Sequence, residues 1–199
     1  MVRDLARGGA VIYLDNNATT AIDRRVIDAM DEVYRDGPCN PSSLHALGQQ
    51  ARGRVDHALD TIGECLGTRF DLPGGPRLII TSGGTESNNL ALLGIGGPGP
   101  VIVSRIEHPS VIAVVESLAT AGRQIRWVDA NEQGVLQLAN LEALIGSGPD
   151  KACLVSIMSA NNETGVIQPI GQAAEICRRC AVPLHVDATQ TIGKLPINL

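Results

Sequence analysis

From residue 77 onward, short apolar runs alternate with stretches whose apolar residues recur at helical spacing. That alternation constrains the fold more than any other feature of the chain. Segments 77–81, 100–104, 125–128, 153–158 and 184–187 read as short strands, several bounded by Gly or Pro. Between them, helices are predicted over 85–93, from Pro109 through Leu118, over 138–145 and over 170–180. Strands separated by helices of this length form βαβ units, because a parallel neighbour can be reached only by a crossover. The predicted class is therefore α/β, a mostly parallel sheet with helices on both faces.

Composition agrees and removes other classes. The 199 residues include one Trp, two Tyr and one Phe, so the core must be aliphatic and Ala-rich. A net charge of -5 without a basic run offers no nucleic-acid footprint. No stretch approaches the length of a membrane span, and residues 1–7 lack the apolar region of a signal peptide. Five Cys, an odd number spread over the chain, favour reduced thiols and a cytoplasmic setting.

The first part of the chain is less regular. Val11-Ile12-Tyr13-Leu14 runs into Asp15-Asn16-Asn17-Ala18-Thr19-Thr20. Asp23 can cap a helix carrying Val26, Ile27, Met30, Val33 and Tyr34 on one face. The Gly37-to-Ser43 stretch, containing Cys39 and Asn40, is a loop. A longer helix follows with Leu47, Ala51, Val55, Leu59, Ile62 and Leu66 on one face, ending near Gly67.

Four motifs follow successive predicted strands, and in a parallel sheet those strand ends share one edge, where ligands bind. Thr81-Ser82-Gly83-Gly84-Thr85-Glu86 joins strand to helix and resembles an anion site, with Gly for close approach and a hydroxyl beside free helix N–H groups. It is neither a Walker loop nor a dinucleotide fingerprint. Glu107-His108-Pro109 puts an imidazole just before a helix. Asn161-Asn162-Glu163-Thr164-Gly165 offers an amide donor. Leu184-His185-Val186-Asp187 ends in a carboxylate, with Ala188-Thr189-Gln190 beyond it. Singly, each is more often ordinary: a turn, a solvated His, an Asp that caps a helix. Together they fit pyridoxal 5′-phosphate (PLP), which wants a phosphate cradle, a stacking ring such as His108, and a donor to its phenolate such as Asn162 or Gln190. Its ring nitrogen must stay protonated, and a buried carboxylate such as Asp187 achieves that.

The motifs Tyr13-to-Thr20, Asn40-Pro41-Ser42-Ser43, Thr81-to-Asn89, Glu107-His108, Asn161-to-Gly165 and His185-to-Gln190 occur in one order along the chain. In that order they resemble the first half of a cysteine desulfurase of the NifS/IscS type, a transferase of the class V aminotransferase group. The resemblance implies the large domain of an aspartate-aminotransferase-like fold over 21–199, with residues 1–20 packing near a small domain and the active site. It implies that Gly84 and Thr85 bind the phosphate, and that His108 stacks on the ring and shuttles protons. Asn162 and Gln190 would contact the phenolate side and Asp187 the pyridinium. Asn16, Ala18, Thr19 and Asn40 would lie near the substrate and a homodimer interface. No metal is implied. The implied reaction takes L-cysteine to L-alanine and leaves persulfide sulfur on the enzyme. That sulfur would pass to an acceptor such as an iron–sulfur scaffold, or to thiolated cofactors and tRNA.

The same resemblance places a Schiff-base lysine in a Ser-x-His-Lys segment after the Asp187 strand, and the persulfide Cys and a substrate-carboxylate Arg further on. Only Lys151 and Lys194 occur here, neither in that context, and Cys39, Cys177 and Cys180 match no catalytic position. Cys177-x-x-Cys180 has no second pair and reads as two ordinary helix residues. The tail from Gly193 to Leu199 provides no closing helix. The expectation is a piece of a longer chain, inactive alone. Two rivals share these motifs: a selenocysteine lyase or other class V enzyme, and a non-catalytic paralogue kept for binding or dimerisation.

Overall fold

A computed structural model describes residues 2–3, 10–38, 40–95 and 97–196. Cys39 and the last three residues, on which part of the sequence reading falls, lie outside the described residues. The chain divides into two compact units that meet in sequence between Ile79 and Ile80.

In the first unit, β1 (Val2–Arg3) pairs antiparallel with β2 (Ala10–Val11). Helix α1 (Arg24–Arg35) starts where the Asp23 carboxylate accepts the Arg25 N–H at 2.8 Å. Its apolar face has the expected spacing, yet none of its residues is buried: Val26, Ile27, Met30, Val33 and Tyr34 are exposed. Helix α2 (Ala46–Cys65) is capped by His45 Nδ1, which accepts the Gly48 N–H at 3.3 Å. It ends as read, near Gly67, whose φ of +67° lets the Thr68 N–H reach back to the Gly63 carbonyl at 2.9 Å.

The second unit holds α3 (Gly84–Gly94), β3 (Val101–Ser104), α4 (Pro109–Thr120), β4 (Ile125–Val128), α5 (Leu141–Ile145), β5 (Leu154–Met158), α6 (Ile170–Arg179) and β6 (Leu184–Asp187). A single 3-10 turn over Leu138–Asn140 leads into α5, so the helix predicted over 138–145 is present in two parts. The four strands form one parallel sheet in the order β4-β3-β5-β6. Val103 sits opposite Trp127 and Ser156, and Met158 opposite Asp187. Side chains alternate between the faces, as the pleat requires. Ile102, Val128, Val155 and Ile157 pack with Leu141 and Ile145 of α5 and Ala173 and Cys177 of α6. Val101, Val103 and Leu154 pack with Leu92 of α3 and Val111, Val114 and Val115 of α4. The core is aliphatic, as composition demanded. Each fully buried Val, Leu or Ile in it contributes roughly 1.5–3 kcal/mol.

One predicted strand is absent. Residues 77–81 form no strand, and Ile79 and Ile80 are 65% and 71% exposed. An apolar β-branched run becomes a strand only where a neighbour completes its ladder. Among the described residues no strand lies beside this one.

The connections fix where a ligand can sit. From β3 the chain steps to β4 on one side, and β5 lies on the other side of β3. Helices α4 and α6, which follow β3 and β5, cover opposite faces. The chain past β3 and β5 thus leads to helices on opposite faces, and the C-terminal edge at such a switch point is where open α/β sheets bind ligands.

Candidate active site

Leu184 of β6 packs into the core on the α6 side, so by strand alternation His185 and Asp187 share the opposite side, toward α3. Asp187 is 9% exposed. Its Oδ1 accepts the Thr189 N–H at 3.0 Å, and its Oδ2 accepts Asn88 Nδ2 of α3 at 2.9 Å. Burial by itself would raise this carboxyl, but the hydrogen bonds from Thr189 and Asn88 outweigh it and hold the group below its ordinary value. Asp187 is thus an anion at neutral pH, and with the Thr189 side chain as a third donor one acceptor position remains for a ligand.

Asn88 divides its two amide hydrogens between Asp187 and Ser110 Oγ, the latter at 3.0 Å. Ser110 Oγ stands 2.7 Å from His108 Nδ1, and the Ser110 N–H donates to that same nitrogen at 3.1 Å. His108 is the N-cap of α4, with Pro109 in its first turn. Because Nδ1 receives the backbone N–H, it is the acceptor nitrogen, and the neutral ring carries its proton on Nε2. A line of hydrogen bonds thus joins the β6 carboxylate to the exposed imidazole through one side chain each from α3 and α4.

The start of α3 meets the same loop. The ideal Cβ position of Gly84 lies 3.4 Å from Thr189 Oγ1, and a Cβ at Gly83 meets nothing within 4 Å. The Ser87 N–H is bonded to the Gly83 carbonyl, so the N–H groups of 84–86 have no intrahelical acceptor. Glu86 does not cover them. Its carboxylate turns back to the Ser82 N–H and Oγ at 2.7 and 2.6 Å, and these bonds hold it below its ordinary value. Exposed backbone donors and the Thr85 hydroxyl on one helix N-terminus can hold a phosphate-sized anion.

Two expected contacts look elsewhere. Asn162 Nδ2 donates to Glu163 Oε1 at 3.2 Å, while Asn161 ties its loop to the Ile106 carbonyl at 3.0 Å. Gln190 Oε1 accepts from Lys194 Nζ at 2.6 Å. Asn16, Ala18, Thr19 and Asn40 all belong to the first unit. Asn16 and Ala18 lie in a turn that Thr19 closes by donating its N–H to the Asp15 carbonyl at 3.4 Å. Asn40 Oδ1 accepts the Ser42 N–H at 2.9 Å. Lys151 donates to the Ala181 carbonyl at 3.2 Å, at the opposite ends of β5 and β6.

Asn88, Glu107, Ser110, Thr189 and His185 are the residues that site reasoning from sequence left without roles. Asn88 carried a readable signal. It stands one turn before buried Leu92 on the same face of α3, where an apolar residue is expected, and is itself buried. His185 Nδ1 lies 2.9 Å from Ser156 Oγ, and burial pushes its pKa down while Asp187 opposes the shift.

Among the described residues, no group of three or more His, Cys, Asp or Glu could hold a metal ion. No helix among the described residues is long and apolar enough to cross a membrane.

Residues 12–199 match the Aminotransferase class-V family. A cysteine desulfurase of Sinorhizobium fredii is 39% identical over 193 residues, which is 94% of this chain and 48% of that protein. Cysteine desulfurase NifS of Azotobacter vinelandii is 35% identical over 194 residues, covering 96% of this chain and 46% of that one. A solved structure titled NifS-like protein superposes with a TM-score of 0.83 at 34% identity, over 94% of this chain and 51% of its own. The chain therefore spans about half the length of the curated relatives it matches.

Proposed function

Since this chain belongs to the class V aminotransferases, we propose that it is the PLP-binding part of a cysteine desulfurase, acting on L-cysteine. The observation that carries the reading is the hydrogen-bonded line Asp187–Asn88–Ser110–His108 beside the open N-terminus of α3. The donor set suits this cofactor at both ends: an anion holder at Gly84 and Thr85, and an ionised carboxylate with acceptor capacity left for a protonated ring nitrogen.

PLP, when bound, supplies an electron sink for substrate carbanion chemistry. The chain's own side chains hold and tune it. Gly84 and Thr85 take the phosphate on the helix N-terminus. Asp187 keeps a proton on the ring nitrogen, and Asn88 and Thr189 keep Asp187 ionised. His108, its Nδ1 anchored by Ser110, would help hold the ring and could move protons through Nε2. Asn162 and Gln190 serve the phenolate side once they leave Glu163 and Lys194. Asn16, Ala18, Thr19 and Asn40 serve the substrate end at an interface between two copies. Residues 21–199 form the large domain, and residues 1–20 lie toward a small domain. The protein works in the cytoplasm as a homodimer and passes sulfur to an acceptor protein such as an iron–sulfur scaffold.

PLP retention, measured by equilibrium dialysis on the wild type, Asp187→Asn and Thr85→Ala, tests the site. Wild-type protein should retain PLP, with both variants losing at least about tenfold in affinity, as expected for one strong charge-assisted contact each. Alanine formation from L-cysteine by the full gene product tests the reaction. Equal retention by all three proteins, or no alanine, refutes the reading.

A further inference from the structure

Glu107 precedes His108 and is used by nothing described so far. It is only 7% exposed, and its Oε2 has no hydrogen-bond partner among the described residues. Its Oε1 accepts two bonds, one from Ser104 Oγ at the end of β3 and one from the Met158 N–H of β5 at 2.6 Å. The β3–β5 ladder ends at the pair Val103–Ser156, so Met158 lies beyond the last rung. Glu107 supplies the acceptor that β3 no longer provides. It does so where the β3–β5 ladder ends. Asn161, donating to the Ile106 carbonyl, is the second tie on the same loop.

We propose that Glu107 is the positioning residue for His108: as a neutral acid, it fastens the 105–108 loop to the end of β5 and thereby sets where the imidazole stands. This rests on the role given to His108 above. A carboxylate accepting through one oxygen would leave the charge on the other with no donor, in a buried pocket facing a second anion, Asp187 of β6. Asp187 is the charged group found to act on it, while Ser104 of β3 and Met158 of β5 present neutral donors. A proton on Oε2 removes that charge and leaves Oε1 as the carbonyl acceptor both donors need. Consistent with this, burial pushes the Glu107 pKa up to about 7, against the pull of Ser104 and Met158, with Asp187 adding to the rise.

The test compares wild type, Glu107→Gln and Glu107→Ala, with and without PLP, by amide exchange at Met158 and by the His108 ring resonances. Both are followed from about pH 5 to about pH 9. Glu107→Gln, which keeps the carbonyl acceptor and cannot ionise, should hold wild-type protection at every pH. Glu107→Ala should speed Met158 exchange about tenfold relative to Val155 and shift the His108 signals. Wild type should move from the Gln pattern toward the Ala pattern as pH rises past neutrality. In the PLP-loaded full gene product, Glu107→Ala should lower kcat about tenfold at unchanged KM, with Gln restoring it. The proposal is overturned if Gln behaves as Ala does, if wild type ignores pH, or if Ala leaves Met158 and His108 unmoved. Should Glu107→Ala fail to fold, wild type against Gln across pH decides alone. The exchange data without PLP do not depend on cofactor binding, so failure of PLP to bind counts against the proposed function only.

Discussion

Replacing Asn88 with Ala removes the amide that spans α3, α4 and β6, and the size of the loss follows from its two bonds. The bond to Asp187 Oδ2 is charge-assisted, worth roughly 1.5–3 kcal/mol, and the neutral bond to Ser110 Oγ is worth about 1 kcal/mol. Asn88 is buried, so water replaces it poorly, and a total near 3 kcal/mol is expected close to pH 7. The loss has a pH signature. Asp187 titrates below its ordinary value when folded, so its contribution is present above the unfolded value, 3.8, and is lost as pH falls through the folded one. Without Asn88 the folded value moves up. The charge-linked share of the destabilisation should therefore appear near neutrality and fade in acid, leaving only packing and the Ser110 bond. Urea unfolding followed by Trp127, the single Trp and a residue of β4 opposite Val103, reports on the unit that contains the site. A destabilisation that is the same in acid as near pH 7, or below about 1 kcal/mol throughout, refutes this account of how Asp187 is held.

Glu107→Gln should be as stable as wild type below about pH 4.5 and more stable above neutrality. The folded acid titrates at about 7 against 4.5 unfolded, so wild type loses up to about 3 kcal/mol as pH rises through that window, and then levels off; denaturant titrations at both ends check it. His185, pushed down by burial, works the other way: its stability is full above the unfolded value, 6.5, and falls as pH drops through the folded one. A His185→Gln variant, compared by the same titrations, should lose that slope. Lys151→Ala should leave PLP affinity unchanged by dialysis, because Lys151 sits at the far end of β5, about 17 Å of strand from the site edge. The 199-residue polypeptide assayed alone should release no alanine from L-cysteine, since Lys151 is remote and Lys194 does not stand in a Ser-x-His-Lys segment.

The four strands of the sheet were legible because β3 and β5 are apolar runs, while β6 alternates apolar and polar residues after Pro183. The run at 77–81 carries the same signal and is no strand, because its signal names no partner. Helix α1 shows the converse: its heptad-like face was read correctly, but the face alone does not reveal what covers it. At the site, the positions of Asp187, His108, Gly84 and Thr85 were accessible, since each follows or precedes an element whose end could be located. The links between them were not. Asn88 and Asp187 are 99 residues apart, and Glu107 reaches Met158 across 51, distances over which local pattern carries no information. The directions taken by Asn162 and Gln190 were equally hidden, because a polar side chain in a turn chooses among several nearby donors and acceptors.

PLP binding as proposed requires Asp187 to remain ionised beside a protonated pyridine nitrogen, and the 15N resonance of ring-labelled PLP bound to the protein reports that directly. Wild-type protein should show a protonated ring nitrogen from about pH 5 to about pH 9, and Asp187→Asn an unprotonated one at neutral pH. An unprotonated nitrogen in the wild type, or the same resonance in both proteins, contradicts the account.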